Sequence, residues 1–139
     1  MLRDHNEARR EVGTANLVLD ADLSRQALEY AEELARTGNF RHSPGSSRQG
    51  QGENLWVGTA NAFSYEDMAA GWINEKQYYT HAAFPYVSNT GNWQDVGHYT
   101  QIIWRDTKRL GCGIATGRGR DWLVCRYSPQ GNIVGQYAY

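Results

Sequence analysis

Cys112 and Cys125 are the only cysteines in the chain, and their placement poses a definite chemical choice. They sit in two segments, LGCGIAT (110–116) and WLVCRYS (122–128), that are rich in β-branched and aromatic residues and are separated by GRGR at 117–120. Such a pattern predicts a β-hairpin. A hairpin loop centred between Arg118 and Gly119 sets the cysteines directly opposite each other, at the ~4.5–5.5 Å typical of cross-strand Cα pairs. A disulfide accepts that separation; two buried free thiols are the alternative. The register favours the disulfide, worth roughly 2–3 kcal/mol for a loop of this size, and with it an oxidising compartment. Nucleophilic chemistry has no visible carrier elsewhere, because neither GxSxG nor HExxH occurs. At 52–56 the run GENLW places an acid and an amide, Glu53 and Asn54, immediately before apolar Leu55 and Trp56. Polar groups so close to buried anchors are expected to be held in place.

The elements that would position these residues fall in an α-then-β order. Residues 1–13 read as a short amphipathic helix stopping at Gly13, and 14–19 as an extended approach to a second helix. Asp20 or Asp22 supplies its N-cap. Ala27, Tyr30, Ala31, Leu34 and Ala35 make its apolar stripe, which ends near Gly38. Residues 41–52 (RHSPGSSRQGQG) carry turn formers throughout and read as a loop. Ser64 and Asp67 have capping-box spacing, and a third helix runs on to about Tyr78. The stretch 78–95 is aromatic, turn-rich and aperiodic, hence an ordered surface loop. Beyond residue 97 the character turns to β, with TQIIW (100–104) read as a strand ahead of the hairpin. Helices first and strands later give an α+β class.

Composition limits the functions open to such a domain. The chain has 139 residues with 14 basic and 15 acidic side chains, a formal charge of −1. A pI of 6.4 gives no basic stripe for nucleic acid. No apolar run reaches the ~18 residues of a membrane span. Met1 opens directly onto LRDHNEARRE, with no basic segment followed by an apolar one. Composition therefore leaves open a cytoplasmic protein or one whose leader has been removed. Nine Tyr and five Trp residues supply large side chains with polar tips, suited to clefts and interfaces as well as cores.

Two longer motifs carry a resemblance. Gly97-His98-Tyr99-Thr100-Gln101-Ile102-Ile103-Trp104, followed by Thr107, resembles the first signature of the CAP superfamily, which comprises cysteine-rich secretory proteins, antigen 5 and pathogenesis-related proteins. Residues 125–133, CRYSPQGNI, resemble the second. His5-Asn6 with Arg9, Gly52-Glu53-Asn54-Leu55 and the step from Trp72 to Glu75 also match, so the resemblance covers essentially the whole of 1–139 as one domain. Trp122, where a smaller apolar residue is usual, and the single cysteine pair depart from the pattern.

The resemblance implies a three-layer α-β-α sandwich with a central, mainly antiparallel sheet. It also implies a cleft holding two histidines and two glutamates, which match His42, Glu53, Glu75 and His98 here. In relatives the histidines hold zinc with the glutamates nearby, so Zn²⁺ or another divalent metal is expected conditionally, with no obligatory cofactor. His5 is assigned to support of the amino-terminal helix, and His81 has no matched partner. Relatives also bind sterols and fatty acids near the region of the aromatic loop, where Tyr79, Phe84, Tyr86 and Trp93, with Tyr78 and Pro85, would form an apolar wall. The expected function is a secreted, non-enzymatic binding protein in host interaction or defence, the mature part of a longer precursor. One alternative is a metal-dependent protease or esterase with Glu53 or Glu75 as general base. Another is a protein-interaction module using the cleft as a peptide groove.

Overall fold

The computed structural model describes residues 1–139. Helix α1 (Leu2–Glu11) leads into a two-residue strand β1 (Val18–Leu19) and then the long helix α2 (Ala21–Thr37). Asp20 is the N-cap of α2, its side chain accepting the Leu23 N–H at 2.9 Å. Gly38 closes the helix with φ of 74°, a left-handed conformation that glycine adopts without strain. Strand β2 (Gly52–Thr59) follows, beginning at the GEN run, and then α3 (Tyr65–Ile73), which opens on the Ser64/Asp67 capping box. A 3-10 turn at Asn74–Tyr78 prolongs α3 to the expected end. Helix α4 (Gly97–Ile103) precedes the hairpin of β3 (Arg109–Gly117) and β4 (Arg120–Ser128).

The four strands lie in the order β1-β3-β4-β2. Both β3–β4 and β4–β2 are antiparallel, while β1 runs parallel to β3, so the sheet is mixed rather than purely antiparallel. Arg118 and Gly119 form the hairpin turn with φ of 57° and 71°, the paired positive values of a tight two-residue turn. That turn fixes the register Cys112↔Cys125, and the two are joined in a disulfide, as the sequence predicts.

Period-two alternation along β4 divides the core. Trp122 and Val124 join Leu55 and the Ala27–Ala31–Leu34 stripe of α2 on one side of the sheet. Leu123, Cys125 and Tyr127 pack on the other with Ala8 of α1, Met68 and Trp72 of α3, and Ile102 and Ile103 of α4. The result is the α-β-α sandwich. Helix α2 lies close enough to β3 that a Cβ on Gly113 would fall 2.4 Å from the Leu28 backbone.

One sequence expectation is corrected. TQIIW is not a strand: Thr100, Gln101, Ile102 and Ile103 belong to α4, and all are buried. A short helix buried on every side has no polar stripe, so its β-branched residues read as strand.

Candidate functional site

The site is organised by the start of β2. Pleating sends adjacent side chains to opposite faces, so Glu53 and Asn54 leave the strand in opposite directions. Glu53 faces the α2 side with its cross-strand partner Arg126, whose guanidinium lies 5.5 Å from the centre of the Tyr30 ring of α2. The Glu53 side chain is wholly buried. Its Oε2 accepts from Arg126 Nε at 2.8 Å and from Ser43 Oγ at 2.7 Å. Its Oε1 accepts the Ser43 N–H at 3.0 Å and lies 2.8 Å from His42 Nδ1. Burial pushes this carboxyl up, but the bonds from His42 and Ser43 and the charge of Arg126 outweigh it and hold Glu53 below the ordinary carboxylate range.

Glu75 does for His98 what Glu53 does for His42. Through Oε1 it accepts the N–H groups of His98 and Tyr99, at 3.1 Å each, fastening the first turn of α4. Its Oε2 sits 2.7 Å from His98 Nδ1. Three residues before Glu75, Trp72 stacks on the His98 ring with centroids 5.8 Å apart and planes 16° from parallel. The i, i+3 spacing puts both on the same side of α3 and its extension. With each Nδ1–H directed at a carboxylate, both imidazoles keep Nε2 as the free nitrogen, the arrangement that orients a metal-binding histidine.

Behind His98 runs a second set of bonds that sequence reasoning missed. Asn54 donates to the His98 carbonyl at 3.2 Å and to the Tyr127 hydroxyl at 3.1 Å. Tyr127 donates in turn to His5 Nε2 at 2.7 Å, while His5 Nδ1 donates to the Met1 carbonyl at 3.0 Å. His5 thus supports α1, as expected, and also ties that helix to the site. Arg126, directly opposite Glu53, and Tyr127, diagonally opposite Asn54, are brought to these residues by the β2–β4 register, which spacing alone does not supply. The exception is the Trp72–Glu75 step, whose helical spacing is visible.

His42, Glu53 and His98 line one cleft of about 480 Å³. Glu75 is not among the lining residues; it stands behind His98. Of the 14 lining residues only Trp93 is hydrophobic. No three His, Cys, Asp or Glu side chains are gathered as a metal cage. The donor set therefore fits a divalent ion only as a two-imidazole site, since all four carboxylate oxygens already accept from protein groups. His81, without a matched partner in the motifs, stacks on Tyr139 with centroids 4.4 Å apart and bonds to the Tyr79 hydroxyl at 3.0 Å.

The aromatic loop does not gather its rings into one wall. Phe84 is 5% exposed and belongs to the core, while Tyr86 is 78% exposed. Tyr79 packs edge-on to Tyr99, and burial drives its hydroxyl well above the usual tyrosine range. Trp93 borders the polar cleft.

The family model of the CAP, or cysteine-rich secretory protein, family matches residues 2–127. With the sandwich fold and the paired His–Glu cleft, this places the chain in the CAP family. Pathogenesis-related protein 1C of Nicotiana tabacum is 38% identical over 137 residues, covering 97% of this chain and 76% of the relative. Golgi-associated plant pathogenesis-related protein 1 of Homo sapiens is 37% identical over 142 residues, covering 98% and 84%. Among solved structures, NaASP2 with Zn²⁺ superposes with a TM-score of 0.84 at 24% identity, covering 99% of this chain and 82% of that one. Na-ASP-1 gives 0.81 at 27% identity, covering 99% of this chain and 40% of that chain.

Proposed function

We propose that this chain is a secreted binding protein, one CAP domain spanning 1–139, whose cleft holds a divalent ion such as Zn²⁺ through the Nε2 atoms of His42 and His98. The observation that carries the reading is the matched pair of Nδ1-to-carboxylate bonds, 2.8 Å at His42 and 2.7 Å at His98. Two imidazoles leave the other positions of a tetrahedral ion to water or ligand, so occupancy is conditional. When bound, the ion supplies a positive charge and Lewis acidity at the floor of the cleft. The disulfide fits an oxidising, extracellular setting. Relatives named pathogenesis-related proteins support a role in host interaction or defence.

A hydrolase is the weaker reading. A general base needs a free oxygen near the reacting proton. Glu53 is buried against Arg126, and Glu75 is committed to α4 and His98. A sterol or fatty acid would sit outside the cleft, against exposed Tyr86 and Tyr78, and its uptake would survive His98→Ala. A peptide-binding module would use the cleft without needing its imidazoles.

Calorimetric titration with zinc tests the proposal. One-to-one binding is expected, weakened at least about tenfold in His42→Ala and in His98→Ala. Metal-dependent turnover of a peptide or ester panel, lost in His98→Ala, would instead establish the hydrolase.

A further inference from the structure

We infer that the cleft takes a short neutral oligosaccharide, with the Trp93 ring as stacking platform and the Gln94 and Gln130 amides as readers of its hydroxyls. This rests on the reading of the cleft as a binding rather than a catalytic site and adds the class of ligand.

Trp93 is 39% exposed, yet its ring is fixed from behind. It meets Phe84 at 5.1 Å and 61°, and it lies so close over Gly97 that a Cβ there would come within 2.8 Å. A large, rigid, half-exposed aromatic face in a cleft otherwise free of hydrophobic side chains suits the C–H face of a pyranose ring. Gln94 and Gln130 are exposed and line the same cleft. Only their backbone N–H groups are engaged, Gln94 with Asn92 Oδ1 at 3.0 Å and Gln130 with the Gly50 carbonyl at 3.0 Å. Each side-chain amide therefore offers donors and an acceptor, the complement of a hydroxyl that both gives and takes.

Gln101 and Asn132 supply the contrast. Gln101 bonds Thr107 and the Gly131 N–H, and Asn132 bonds Thr100 and the Gly97 carbonyl, so these two build a stiff floor.

Other ligand classes fit less well. The buried Glu53 charge is answered by Arg126, and no unpaired carboxylate lines the cleft. Arg48, the one Lys or Arg in its lining, already donates to the Ser43 and Gln51 carbonyls at 3.3 and 3.1 Å, so beyond the proposed metal position no free side-chain charge favours an ionic ligand. A lipid would meet one apolar side chain in 14. An extended peptide would pair with the edge strand β2, where Trp72 Nε1 already takes the Leu55 carbonyl at 3.2 Å. A volume near 480 Å³ lies in the range of small-molecule sites.

The test is an NMR titration of the intact protein with cellotriose, maltotriose and tri-N-acetylchitotriose, run with chelator and again with zinc. At least one sugar should give saturable shifts at the Trp93 indole and the Gln94 and Gln130 side-chain amides, with a Kd of about 1 mM. Trp93→Ala should weaken it at least about tenfold. Gln130→Ala, at an exposed side chain, should weaken it about three- to tenfold and keeps the test decisive if the tryptophan variant fails to fold. Absence of saturable shifts with all three sugars would overturn the inference. So would affinity unchanged in both variants, or equal shifts from tetraglycine, which offers amides without hydroxyls. Cleavage of the sugar, read by chromatography, would overturn the binding reading while upholding the ligand class. Zinc affinity lost without loss of sugar binding would separate the metal proposal from this one.

Discussion

His5 shows how one buried side chain makes the fold sensitive to pH. Its two nitrogens are committed, Nδ1–H to the Met1 carbonyl and Nε2 to the Tyr127 hydroxyl, a network that works only with a neutral ring. Burial, the largest cause, lowers its pKa from 6.5 to about 4. Between those values the unfolded chain binds more protons than the folded one, so stability falls as pH falls from about 6.5 to about 4. The full shift corresponds to roughly 3 kcal/mol. Urea midpoints measured at pH 7 and pH 4.5 should therefore differ in the native protein, and His5→Gln should remove most of that difference; an unchanged difference would refute the assignment. Glu53 acts in a lower window: its contribution is fully present above the ordinary carboxylate pKa and is lost as pH falls from there through its depressed folded value. The motifs marked Glu53 and His5 as residues to explain. Their partners were hidden, because the His5–Tyr127 bond joins positions 122 residues apart and the Glu53–Arg126 pair depends on the β2–β4 register.

Among the elements, α4 owes its position to α1. Arg9, 1% exposed, donates to the carbonyls of Ile102 and Trp104 at the end of α4, at 2.8 Å each, and to those of Ala15 and Thr107. Burial lowers its pKa to about 10, which still leaves it charged at neutral pH. A guanidinium set against the last carbonyls of a helix satisfies acceptors that have no partner within it. Arg9→Met would strand several buried carbonyls and should destabilise by roughly 3 kcal/mol or more, measured by urea unfolding. A loss below about 0.5 kcal/mol, the scale of an ordinary surface substitution, would contradict this anchoring role. Helix α2 was legible end to end because its stripe and both caps are local signals. TQIIW was misread because α4 is a helix only by virtue of what surrounds it. The hairpin needed nothing beyond its turn and strand residues, and the disulfide lies where its register predicts.

At the scale of the whole molecule, the cleft is a product of both helical layers. His42 and Glu53 are held from the α2 side by Ser43 and Arg126, whereas His98 and Glu75 are held from the other side by Trp72, Asn54 and the start of α4. The resemblance supplied the four residues and the sandwich. It did not say which carboxylate holds which imidazole, nor that both carboxylates are used up in doing so, since those facts depend on how the layers meet at the start of β2. The proposed metal site is therefore a statement about nitrogen atoms: zinc would meet two imidazoles at Nε2 while Nδ1–H stays with Glu53 and Glu75. Nitrogen-15 NMR of the imidazole side chains during zinc addition measures this directly. Perturbation of Nε2 in both His42 and His98, with Nδ1 remaining protonated and His5 and His81 unaffected, is the predicted result. Zinc-induced change at Nδ1, or at His81 with His42 and His98 silent, would contradict it.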